Sequence, residues 1–446
     1  MSGNSLGWIG IVRLGLVQTA LGAIVVLTTS TLNRVMVVEL ALPAMLPGAL
    51  VALHYALQVL RPRMGYGSDV GGRRTPWIVG GMAILATGGI AAAVATAWMA
   101  THPAAGVVLA IAAFILIGLG VGATGTTLLV LLAKRVDERR RAAAATTVWL
   151  MMIAGFIITT SIAGHFLDPF SPGRLVAVAT TVALVAFVVT LLAIWNIEGP
   201  VPAEPSLPGA PAAHETAFRA ALRQVWEEPQ ARSFAVFIFV SMLAYSAQDL
   251  ILEPFAGTVF GFTPGQSTKL SGVHQGGVLC GMLLVAIAGS ALARSRSSSL
   301  KGWTIGGCIA SALALFSLAM AGWVGPAWPL RTSVFCLGIA NGAYAVAAIG
   351  SMMGLVNSGT QKREGVRMGL WGAAQAIAFG LGGFMGTAAI DLARALLASP
   401  AAAYATVFTG EAVVFLIAAS LAARMGARGH ASVSTATTHD LRYGTR

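Results

Sequence analysis

The chain has little of what a water-soluble protein surface is made from. Only 10% of its 446 residues are charged and 16 are acidic, too few to build a hydrated shell around a protein of this size. Cysteine is scarce as well. Cys280, Cys308 and Cys336 form an odd set without a C-x-x-C pair, which argues against a disulfide framework and leaves each thiol as a small apolar group. No Cys/His cluster has the spacing of a structural zinc site, so no metal of the protein's own is expected. A P-loop, a G-x-S-x-G elbow and an H-E-x-x-H helix are also missing, which removes support for nucleotide-driven machines and the common hydrolases.

What is present is hydrophobic sequence in long runs. The chain is 57% hydrophobic, with a mean hydropathy of +0.80. About 20 mainly apolar residues carry a helix across a bilayer, and roughly twelve such stretches occur. They are expected at 14–32, 41–60, 77–99, 105–133, 143–164, 174–196, 232–252, 269–291, 302–322, 328–354, 367–389 and 403–424. The first lacks an early basic region and the same spacing simply continues after it, so it reads as a span and not as a cleaved signal. The fold class is therefore an all-α, multi-pass membrane protein.

A net charge of +12 would suggest nucleic acid in a soluble protein, but here the basic residues sort by side. With an even number of spans, 23 of the 28 Lys and Arg residues fall on one face; Arg34, Arg174, Lys269, Arg331 and Arg394 fall on the other. The positive-inside rule then places both termini on the cytoplasmic side of the membrane, with the bilayer and no nucleic acid as partner.

Between the sixth and seventh spans Pro200, Pro202, Pro205, Pro208 and Pro211 enforce an extended cytoplasmic segment. The chain divides accordingly into a six-helix bundle (1–197), a linker (198–231), a second six-helix bundle (232–424) and a polar tail (425–446). Within the linker, 215–228 has the apolar spacing of an amphipathic helix at the membrane surface. Between the second and third spans the sequence reads Gly65-Tyr66-Gly67-Ser68-Asp69-Val70-Gly71-Gly72-Arg73-Arg74. This G-x-x-x-D-x-x-G-R-R loop resembles the signature of the major facilitator superfamily, in which two six-helix pseudo-repeats enclose a central site. The glycines suit a tight turn, Asp69 suits a helix cap or an ion pair, and Arg73 and Arg74 hold the cytoplasmic side. The matching loop after the eighth span keeps Arg294, Arg296 and Lys301 but has no aspartate.

Charges in lipid cost several kcal/mol, so each needs a partner, a cavity or a function. They cluster at the outer end of the first helix of each half. Asn33, Arg34 and Glu39 recur as Gln248, Asp249 and Glu253, an amide, a charge and a glutamate. Arg34 and Asp249 have opposite signs and are expected to face one another across the halves, as a gate, a binding site or a salt bridge that closes the outer face. Helical spacing places Tyr245, Gln248, Asp249 and Leu252 on one face. Glu411 lies mid-span in the last helix, as a proton carrier or a buried hydrogen-bonded acid, and Gln375 sits one turn beyond Trp371. The fourth span has no charge before Lys134, unlike many proton-coupled sugar and drug carriers.

Three separated motifs narrow the resemblance. Asn33-Arg34-Val35-Met36-Val37-Val38-Glu39-Leu40 lies in the first span. QDLILEPFAGTVFG at 248–261 is followed by Ser267-Thr268-Lys269-Leu270. Glu364-Gly365-Val366-Arg367-Met368-Gly369-Leu370-Trp371-Gly372 with Gln375 lies in the eleventh span. Together they resemble the PucC and LhaA light-harvesting assembly proteins. Ala256-Gly257 stands where that family has paired glycines, and the loop at 65–74 is short, which resembles a sister branch labelled bacteriochlorophyll synthase chain. The resemblance implies a non-enzymatic factor that requires no cofactor and carries bacteriochlorophyll or a precursor as bound cargo. Its partners would be light-harvesting polypeptides or pigment-synthesis enzymes of the photosynthetic, intracytoplasmic membrane. His54 and His274 occupy equivalent spans, and each reads either as an axial ligand to a pigment magnesium or as a hydrogen-bond partner of a neighbour. A proton-driven carrier using Glu411 or Asp249 is the alternative. An enzyme subunit of pigment synthesis ranks last, because the aspartate-rich pairs of prenyl transfer are missing.

Overall fold

Residues 6–61, 64, 73–198, 223, 226–291, 300–356 and 364–440 are described by the computed structural model. Among them twelve helices follow in order: α1 (Trp8–Glu39), α2 (Met45–Leu60), α3 (Thr75–Met99), α4 (Pro103–Arg135), α5 (Glu138–Phe166), α6 (Pro172–Ile194), α7 (Pro229–Phe260), α8 (Pro264–Ala291), α9 (Leu300–Val324), α10 (Leu330–Val356), α11 (Glu364–Leu396) and α12 (Pro400–Asp440). All but α2 are long and apolar enough to span a bilayer. Large apolar side chains such as Val108, Leu192, Ile287 and Trp323 stay exposed, as lipid-facing positions do. The chain is a multi-pass membrane protein.

Several helices run beyond the expected spans, α12 furthest, to Asp440 in the expected polar tail, and three of the departures have a local reason. α1 continues past 32 to Glu39 through two π turns, Leu27–Thr31 and Val35–Glu39. Thr28 and Thr29 donate back to the Ile24 and Val25 carbonyls at 2.9–3.1 Å, the kind of bonding that loosens and bends a helix. α2 begins only at Met45, because the chain turns a corner through Ala41 (φ 52°) and Pro43. α7 runs through Pro254 to Phe260 and stops at Gly261 (φ 68°), a left-handed end that glycine adopts without a Cβ penalty.

Two apolar cores correspond to the two halves. One gathers Ile11, Leu14, Met82, Phe114 and Leu175; the other gathers Phe234, Phe237, Tyr344, Tyr404 and Phe415. The tips of α1 and α7 interlock, since Leu250 packs in the first core while Val37 and Ala44 pack in the second. α2 lies against α11 and α5 against α8, and these two contacts are mates under the repeat. The repeat also shows inside each half: Gly118 of α4 abuts the His54 carbonyl of α2, and Gly338 of α10 abuts the His274 carbonyl of α8. A Cβ at either glycine would meet that backbone oxygen, so only glycine permits such close crossings.

Candidate functional site

Polar residues of α1, α7 and α8 form a seam across the two halves at the end of the bundle remote from Lys134 and Arg135, here termed the arginine-poor end. Arg34 is buried, with its guanidinium on the Glu39 carboxylate and a second hydrogen bond to the Phe262 carbonyl of the other half at 2.6 Å. Asn33 donates to the Leu250 carbonyl, and Thr31 meets Thr268 at 3.0 Å. The hydroxyls of Ser30 and Ser271, one from each half, both donate to the same oxygen of Glu253. A Cβ at Gly257 would lie 3.0 Å from the Arg34 guanidinium. The glycine kept at the second position of the α7 motif is therefore the one that leaves room for Arg34.

The expected Arg34–Asp249 pair does not form. The π turn at Val35–Glu39 brings the residue five places on back over Arg34, so Glu39 takes the guanidinium within its own helix. Asp249 lies a turn before Glu253 and belongs to a second group nearer the middle of the bundle, within electrostatic reach of Tyr55, Tyr245 and Glu411. Both tyrosine rings pack on Phe379 of α11, at 5.5 and 5.9 Å between centroids. Gln375, one turn before Phe379 and half-buried, shares that helix face. Gln248 is buried with both amide atoms unpartnered, and Glu411 is buried with neither carboxylate oxygen bonded. Tyr245, Asp249 and Gln375 thus line the interior, whereas Arg34, Glu39 and Glu253 belong to the seam.

The two histidines are enclosed in helix contacts. The Nε2 of His54 faces the Gln58 amide at 3.2 Å, and the Nε2 of His274 faces the Asn341 amide at 3.3 Å. Ser311 donates to the Asn341 oxygen at 2.9 Å, which leaves the Asn341 NH₂ to donate to His274. The Nε2 of each ring is therefore engaged by a neighbour, whereas the Nδ1 of His54 is buried and unpartnered.

Of the loop signature, Gly65, Asp69 and Gly72 lie outside the described residues, as do most of the linker and of the expected amphipathic helix. Arg73 is exposed and Arg74 is buried. Sequence reasoning missed the partner of this loop. Glu198, placed at the start of the linker, accepts hydrogen bonds from the Arg74 and Thr75 amides at 2.6 and 2.9 Å and from the Thr75 hydroxyl at 2.8 Å. It therefore caps α3 from the end of α6. Burial works against its charge, but those bonds and the Arg74 charge outweigh it and hold the carboxyl below its ordinary range.

The family model described as PUCC protein matches residues 31–429. A Rhodobacter capsulatus protein named bacteriochlorophyll synthase 44.5 kDa chain is 52% identical over 97% of this chain and 99% of its own length. Protein PucC of the same species is 28% identical over 94% of this chain and 92% of its own. Among solved structures, a peptide transporter POT in complex with sulfate superposes with a TM-score of 0.70 at 15% identity, over 95% of this chain and 97% of that one. That likeness shows the major facilitator fold, in agreement with the two six-helix repeats.

Proposed function

This chain belongs to the PUCC protein family, and from that premise we propose that it carries bacteriochlorophyll, or a precursor of it, and serves assembly of light-harvesting complexes. The observation that supports this most is the end-to-end correspondence, at 52% identity, with a protein named for bacteriochlorophyll synthesis. The interior suits such a cargo. Tyr55, Tyr245 and Phe379 offer ring faces, while Asp249 and Gln375 offer polar contacts to ring substituents, and a prenyl tail partitions between helices into lipid. Because Gln58 and Asn341 occupy the Nε2 atoms of the two histidines and both rings are buried in helix contacts, we place the main pigment contact at the aromatic group. The basic ends face the cytoplasm and the seam closes the opposite side, so cargo is exchanged with the inner leaflet or the cytoplasm. In this reading the chain binds and hands over pigment without altering it.

The test is a deletion in a pigment-producing host, followed by whole-cell absorption spectra and near-infrared spectra of the purified protein. Loss of an antenna band together with pigment bound to the wild-type protein is expected. Unchanged antenna and a colourless protein would overturn the reading. A second reading, proton-coupled transport, draws on the unpartnered Glu411 carboxylate beside Asp249. It requires that vesicles holding a trapped pH dye report proton movement when bacteriochlorophyllide is added, and that Asp249→Asn abolish it.

A further inference from the structure

Two acids that join the halves at the arginine-poor end were not singled out in the sequence. Asp391, near the end of α11, accepts from the backbone amides of Ala44 and Met45 at 2.9 and 2.8 Å, capping the first turn of α2 with one oxygen on each amide. Asp168, just past the end of α5, accepts from the Gly265 amide at 3.2 Å and the Thr263 hydroxyl at 2.8 Å, at the first turn of α8. Spans five and eleven are repeat mates, and so are spans two and eight. Each half thus sends one carboxylate into the N-terminus of the second helix of the other half, where orphan amides and the helix dipole favour a negative charge.

The pairing extends one turn back. Four residues before Asp391, Thr387 touches Gly48 of α2; four residues before Asp168, Gly164 touches Gly265 of α8. A Cβ on Gly48 or Gly265 would collide with these neighbours, so the contacts that bring the carboxylates into reach are duplicated too. The Asp168 latch is also braced from its own half, since Arg174 donates to the Asp168 carbonyl at 2.7 Å; Arg394, one turn past Asp391, donates to Tyr404 at 2.8 Å.

The two sites differ in one respect. α8 carries its own capping box, in which Thr263 Oγ1 accepts the Gln266 amide and Gln266 Oε1 accepts the Thr263 amide, both at 3.1 Å. The residue at the cap position of α2 is Ala44, which has no side chain to offer. α2 therefore depends on the opposite half for its cap.

We propose that Asp168 and Asp391 are a pair of pseudo-twofold latches, each a helix cap supplied in trans by the other half, that hold the arginine-poor face shut and whose release permits the halves to part there. Separation would strip both helices of these caps at once, so the closed state is favoured cooperatively. Asp391 is the stronger of the two, because nothing in its own half replaces it for α2.

Spin labels on Ala100→Cys and Ala398→Cys, exposed positions on the two halves at this end, test the latch after Cys280, Cys308 and Cys336 are replaced by alanine. Distances are read in nanodiscs, independently of membrane orientation and of any cargo. The parent should give one narrow distribution. Asp391→Ala should add a longer-distance population, raising the open fraction by roughly fivefold to tenfold for a lost cap, with a smaller rise for Asp168→Ala and the largest for the double variant. If the double variant does not accumulate, the ordering of the two single variants decides. Distributions identical to the parent in both, or a larger effect at Asp168, would overturn the proposal.

Discussion

Arg34 is only 2% exposed, while Glu39 keeps a third of its side chain accessible, and this asymmetry sets what each substitution does. Glu39→Gln leaves a buried cation with the Phe262 carbonyl as its remaining partner. Breaking one side of a buried pair costs about 3–5 kcal/mol. Replacing both groups by apolar or neutral ones of similar shape removes the stranded charge. Arg34→Met combined with Glu39→Gln is therefore expected to melt closer to wild type than Glu39→Gln alone, as read by thermal unfolding of the detergent-solubilised protein. The sequence showed these residues as costly charges at matched places in two repeats. It did not show their partners, because a straight α-helix puts Glu39 on a different side from Arg34 and only the π turn reunites them. Gly257 was visible as the glycine kept beside Ala256 where paired glycines were expected, but the guanidinium it accommodates comes from the other half of the chain.

At the level of the helix, α3 starts where Glu198 supplies its cap, and the cap titrates. The folded pKa of Glu198 is depressed, so its contribution is complete above the unfolded value of about 4.3 and is lost as pH falls through the lower folded value. Glu198→Gln should lower stability near neutrality by about 1 kcal/mol, the usual weight of a cap. It should also flatten the loss on acidification below about pH 4.5 relative to wild type, as measured by denaturation midpoints across pH. Close crossings of the helices give a second check. Gly118→Val and Gly338→Val place branched side chains against the His54 and His274 carbonyls, and overpacking of this kind costs about 1–3 kcal/mol or more. Both should reduce the amount of folded protein in the membrane to a similar degree, because the sites are repeat mates. Hydrophobic run length located the helices, whereas their ends followed from threonine back-bonding, Ala41 and Gly261, local effects that hydropathy does not register. Asp168 and Asp391 were illegible for a different reason: a cap given in trans has no sequence spacing to its helix.

For the whole molecule, the two-bundle plan was readable because lipid forces long apolar runs and because the repeat preserved polar residues in pairs. The site inside it was only half readable, since Tyr55 and Phe379 look like ordinary apolar span residues until α2 and α11 bring them beside Tyr245. The positive-inside distribution predicts that a fluorescent protein fused to the C-terminus glows while a periplasm-dependent phosphatase fused there stays inactive; the opposite result would invert the bundle. The cargo reading has a sharper consequence. If the aromatic group holds a pigment ring by stacking, each contact contributes about 0.5–1.5 kcal/mol beyond the area it buries, and 1.4 kcal/mol is a factor of ten in affinity. Tyr55→Ala, Tyr245→Ala and Phe379→Ala should each lower the co-purified near-infrared absorbance per protein by about twofold to tenfold. Tyr55→Phe and Tyr245→Phe keep the ring and should retain most of it. Wild-type pigment levels in both the alanine and the phenylalanine variants would place the cargo elsewhere, and pigment lost equally in both would assign the contact to the hydroxyls near Asp249 instead of the ring faces.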